Sequence, residues 1–131
     1  MERVQALRLA PASGPLSYDS VRTAVAGAGA VFVLVSARPA AWRPDAVNMA
    51  PALAALVEEL SRAGTPLMTV ALGSPYLLGQ VPSTPGYLAA WGDADVSERA
   101  LARAVLGSAD ITGRLPVSLP PNAPFGWGLT R

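Results

Sequence analysis

Two strand-length hydrophobic stretches constrain the fold of this chain more than any other feature: the continuous apolar run Ala30-Val31-Phe32-Val33-Leu34-Val35 and Leu67-Met68-Thr69-Val70-Ala71-Leu72, interrupted only by Thr69. Each has the length and the β-branched or aromatic content of a strand buried on both faces. Between them lies a single amphipathic stretch, with Leu53, Leu56, Val57 and Leu60 at helical spacing and a stop at Ala63-Gly64. Strand, helix and strand in that order form a βαβ unit, because parallel neighbours need a crossover of about a dozen residues or more.

The flanking segments extend the alternation. Upstream, Val4, Ala6 and Leu9 alternate with polar neighbours and predict a short first strand, broken by Pro11-Ala12-Ser13-Gly14-Pro15. A first helix is predicted from Ser17, a capping residue followed by Asp19, with Tyr18, Val21, Val25 and Ala28 on one face and Gly27 and Gly29 as stops. Downstream, Gly86 to Gly92 reads as a shorter core strand, and Ser97, Glu98, Leu101, Ala102, Val105 and Leu106 as a third helix closed by Gly107. The proline-rich tail from Ile111 to Pro121 is expected as an edge strand, since Pro cannot donate to a central ladder. The expected architecture is α/β: a flavodoxin-like, three-layer α/β/α sandwich on a mostly parallel sheet, with a C-terminal edge strand.

At 131 residues and 13.4 kDa, one domain over residues 1–131 is expected. The chain has no Cys and no His, which excludes disulfides, thiolate nucleophiles, the usual zinc sites and imidazole bases. No cofactor or metal is expected. Every basic residue is Arg, none adjacent to another, and the net charge is +1, so nucleic acid is not expected as a partner. Neither a membrane-length apolar run nor a signal-type stretch is found, and the chain reads as soluble with its compartment open. The mean hydropathy of +0.34 and the 15% charged content point to apolar surface covered by something else, either a partner or a second copy.

In an open parallel sheet, ligands meet the carboxyl ends of the strands, here Ser36 to Pro44, Gly73 to Tyr76 and Trp91 to Asp95. Arg38, Trp42 and Arg43 share the first of these loops and could grip a carboxylate, stack on a sugar or dock on a neighbouring domain. Ser74 sits where a nucleophile would, but no Gly-x-Ser-x-Gly elbow surrounds it and no His exists to take its proton. Tyr76 completes that turn. Asp93 and Asp95 are the carboxylates nearest the third strand's end, where they either face a site or cap the third helix. Gly27-x-Gly29 precedes its strand, which rules out a dinucleotide fingerprint, and without Lys there is no phosphate loop.

Three blocks resemble a known family. They are Val70-Ala71-Leu72-Gly73-Ser74-Pro75-Tyr76-Leu77-Leu78 with Tyr87-Leu88-Ala89-Ala90-Trp91, then Ala100 to Gly107, then Ile111-Thr112-Gly113-Arg114-Leu115-Pro116-Val117-Ser118-Leu119-Pro120 with Phe125-Gly126-Trp127-Gly128-Leu129. From about Val31 to Leu129 the chain resembles the C-terminal α/β sandwich domain of family 3 glycoside hydrolases, the bacterial β-glucosidase and β-N-acetylglucosaminidase group. The resemblance implies a domain that supports β-glycoside hydrolysis by packing on a catalytic barrel, which carries the family's nucleophilic Asp. It assigns no catalytic residue here: the chain has no His and no Glu in the crevice loops, and Trp127 stands where the family ending has His. Beside this stand a free small-molecule or carbohydrate-binding module using Arg38, Trp42, Arg43, Ser74 and Tyr76, and a hydrolase using Asp93 and Asp95.

Overall fold

The computed structural model describes residues 3–130. Its helices are α1 (Pro15–Val25), α2 (Pro51–Arg62) and α3 (Asp95–Val105), and its strands are β1 (Val31–Ala37), β2 (Leu67–Gly73) and β3 (Gly86–Ala89). Short 3₁₀ turns at Pro44–Val47 and Pro75–Gln80 follow the first two strands. The strands form one parallel sheet in the order β1-β2-β3, with Leu34 beside Val70 and Val70 beside Leu88. The chain is therefore a small α/β fold, as the two apolar runs require.

Strand periodicity divides the core into two clusters. Val35 and Ala37 of β1 with Leu67 and Ala71 of β2 pack with Val57 of α2, with Met49 and with Leu77 and Val81 from the β2–β3 connection. Val70 and Leu72, on the other side of β2, pack with Leu101 of α3 and with half-buried Met68, Leu88 and Ala90. β2 is thus enclosed, with Thr69, Val70 and Ala71 at 0% exposure. Thr69 satisfies its buried hydroxyl on Thr84 Oγ1 at 2.9 Å, so its polarity costs little.

β1 departs from the expectation of burial on both faces. Val35 and Ala37 are buried, but Phe32 and Leu34 are 45% and 52% exposed. The reason is position: β1 is an edge strand, and the Leu101 cluster reaches β2 and β3 but not the outer face of β1.

Three further expectations are corrected. Residues 4–9 form no strand: Val4 is 91% exposed, and alternation alone supplies no partner ladder. The tail from Ile111 to Pro121 is not an edge strand but closes on itself. Leu115 N–H donates to Trp127 O at 2.8 Å, and Leu119 and Ala123 exchange N–H···O bonds of 2.6 and 3.0 Å. Those bonds fold buried Leu119 inward, and Pro116, Pro120 and Pro121 lack the donors a sheet edge would use. The first helix begins at Pro15, within its first turn, with Gly14 rather than Ser17 at the cap position.

Two polar ties hold the helices to their neighbours. Arg22 of α1 meets Glu59 of α2 at 2.9 Å on an exposed surface, where water screens the attraction. Glu58 accepts from Ser83 N–H at 2.9 Å and Ser83 Oγ at 2.7 Å, joining α2 to the approach to β3. Burial pushes the Glu58 carboxyl up, but the Ser83 bonds and Arg62 outweigh it, so its pKa lies below the ordinary value.

Gly73 ends β2 at a φ of +130°, and a Cβ there would run into the carbonyl oxygen of Ala37. That oxygen accepts Ser74 N–H at 2.9 Å, so the close approach is the last rung between β1 and β2. Gly73→Ala is expected to cost about 2–3 kcal/mol, read as a lower midpoint in urea unfolding. An unchanged midpoint would contradict this packing.

Candidate functional site

Because all three strands run the same way, their carboxyl ends lie along one edge of the sheet. β1 leads into Arg38–Pro44, β2 into Ser74–Tyr76, and β3 into Ala90–Asp95. Across this edge the chain ties its first strand to the loop after its last. Ser36 Oγ donates to Asp93 Oδ2 at 2.7 Å and Arg38 Nε donates to the same oxygen at 2.6 Å. Arg38 Nη2 donates to Asp93 Oδ1, completing a two-pronged grip of guanidinium on carboxylate.

The electrostatics follow from that grip. The hydrogen bonds from Arg38, then that from Ser36, hold the Asp93 carboxyl at about 2 against the opposing effect of desolvation. The same bond to Asp93 raises the Arg38 guanidinium further above its ordinary value. The Asp93 side chain is 19% exposed and the Arg38 side chain 68%, so the pair is wet on one side and sheltered on the other.

The remaining sequence candidates lie in the same loops but are not drawn into this network. Trp42 is 83% exposed and Arg43 is exposed, its backbone N–H closing a turn on Ala40 O at 2.9 Å. Ser74 uses its backbone N–H on Ala37 O, and Tyr76 is 56% exposed beyond the buried Pro75. Asp95 is the first residue of α3, whose cap position is Ala94 with no side-chain cap. The capping alternative for Asp93 is thereby corrected: its oxygens are spent on Ser36 and Arg38.

Two residues at this edge open the predicted crevice segments but are not among the side chains the sequence singles out. Ser36 lies at the end of an apolar run and has no local signature of a partner 57 positions away. Trp91 sits in the left-handed region at φ +61°, a conformation uncommon for a bulky residue, with 48% of its surface exposed. Tyr87 of β3 is tied to the loop after β2, its hydroxyl donating to Pro75 O at 2.6 Å, and burial pushes its phenol up to about 12.

Two open grooves lie away from this edge. One of about 360 Å³ lies between α1 and the end of α2, lined by Arg22, Glu59 and Gly64 among others. Another of about 530 Å³ lies between β3, α3 and the tail, lined by Leu88, Leu101 and Ile111 among others. Neither is lined by Arg38, Trp42, Arg43, Ser74, Tyr76 or Asp93. Among the described residues no three carboxylates gather as a metal site, and no helix is long and apolar enough to cross a membrane. Comparison with protein-family models, curated proteins and solved structures finds no significant match for this chain.

The low Asp93 pKa makes a signed prediction. A carboxyl whose folded pKa is depressed adds stability that is complete above its unfolded value, near 3.9, and is lost as pH falls toward about 2. Asp93→Asn is therefore expected to remove the part of the wild-type stability loss that falls between pH 4 and pH 2. Chemical unfolding at stepped pH reads it, and parallel curves for the two proteins over that range would contradict the tie.

Proposed function

We propose that this chain is a non-catalytic α/β/α domain of the kind found at the carboxyl end of family 3 glycoside hydrolases, docking by its carboxyl edge on a catalytic barrel and supporting β-glycoside hydrolysis there. The observation that carries the reading is that each parallel strand is followed by an exposed aromatic side chain: Trp42 after β1, Tyr76 after β2 and Trp91 after β3. Trp, Tyr and Arg, with no Lys, are the residues that dominate interface hot spots. Neither groove opens beneath them, so the edge suits a broad macromolecular surface better than an enclosed small ligand.

The chemistry of Asp93 supports the same assignment. A general acid must hold its proton near working pH, and a carboxyl held at about 2 by Arg38 and Ser36 is ionised throughout the neutral range. The ion pair instead braces the loop after β3 against the end of β1, which keeps the docking loops in fixed relation. Packing of Val57 on one side of β2 and Leu101 on the other supports the three-layer arrangement.

Mixing the chain with the isolated barrel domain of a bacterial family 3 glycosidase is expected to give a complex on size exclusion. Trp42→Ala and Tyr76→Ala are each expected to weaken it by about tenfold or more, the effect of losing about 1.4 kcal/mol or more at a hot spot. Absence of a complex, together with a saturable response of Trp fluorescence to cellobiose that Trp42→Ala abolishes, would replace this reading with a carbohydrate-binding module.

A further inference from the structure

We propose that the free edge of β1 is an interface with a second copy of this chain, in which two β1 strands pair antiparallel about a two-fold axis through Leu34. Val31 N–H donates to Pro66 O and Ala37 O accepts from Ser74 N–H, so the odd-numbered residues of β1 point their backbone groups toward β2. Successive residues of a strand alternate, so Phe32, Leu34 and Ser36 direct their N–H and C=O groups outward. Among the described residues nothing pairs with them.

Exposed edges in soluble proteins are blunted by Lys, Pro, bulges or an inward charge, because bare ladders invite another strand. β1 reads Val-Phe-Val-Leu-Val-Ser-Ala and carries none of these. The edge is also self-complementary. With Leu34 opposite Leu34 of the second copy, Phe32 falls opposite Ser36 and Val33 opposite Val35. Every outward backbone group then has a partner, because the residues that face outward are the ones that meet as hydrogen-bonded pairs. The same pairing brings the exposed Phe32 and Leu34 side chains of both copies together on one face of a continuous sheet. No charge on β1 opposes the approach. The edge meets the carboxyl-end network at Ser36, whose backbone faces outward while its hydroxyl is held by Asp93.

Light scattering coupled to size exclusion, over a concentration series, tests the proposal with the wild type and two charge variants. The wild type is expected to be dimeric. Leu34→Lys and Leu34→Glu, each placing like charges face to face across the axis, are expected to be monomers with unchanged circular dichroism. Their equimolar mixture is expected to recover a dimer, since opposite charges then meet. Amide exchange in the wild type gives a second reading that needs no variant: Phe32, Leu34 and Ser36 are expected to gain protection as concentration rises. A wild-type monomer at every concentration would overturn the proposal, as would a dimer that Leu34→Lys leaves intact.

Discussion

The structure depends on β2 being hydrogen-bonded along both edges and buried on both faces. With Val70 and Ala71 fully excluded from water, a parallel neighbour on each side satisfies the backbone that burial would otherwise leave unpaired. Burial on one side recruits Val57 of α2 and on the other Leu101 of α3. Parallel pairing in turn sets all three carboxyl ends along one edge, so the position of the candidate site follows from how the core is built.

On that edge the grip of Arg38 on Asp93 does locally what β2 does globally. It links the loops at the outer strands across the end of the central one, with Ser36 as a third member. The close approach of Gly73 to Ala37 and the bond from Tyr87 to Pro75 hold the loop between them. Trp42, Tyr76 and Trp91 project as exposed side chains from the loops along this tied edge.

The central elements were legible in the sequence because each is set by its own residues. The apolar runs at Val31 and Leu67, the stripe through Leu53, Val57 and Leu60 and the helix around Leu101 appear where their patterns place them, whereas the run expected from Gly86 to Gly92 is a strand only as far as Ala89 because the backbone turns left-handed at Trp91. Failures occurred where the outcome depends on a distant partner. Alternation at residues 4–9 has a strand's period but nothing to pair with, and Phe32 and Leu34 look like core residues until the edge position of β1 is known. The tail's backbone groups between Leu115 and Trp127 find their hydrogen-bond partners in local turns instead of in the sheet. At the site, crevice topology located the right loops and selected Arg38 and Asp93 separately. Their pairing, the contribution of Ser36 and the left-handed backbone of Trp91 are properties of three-dimensional contact that no local spacing encodes.

The central claim is that the carboxyl edge is a docking face braced by Arg38 and Asp93. Amide hydrogen exchange of the chain, alone and with a family 3 barrel domain, tests it most directly. The account predicts new protection confined to residues 38–44, 74–78 and 91–94. Protection that falls on the outer surfaces of the helices, or exchange unchanged along the carboxyl-edge loops, would contradict it.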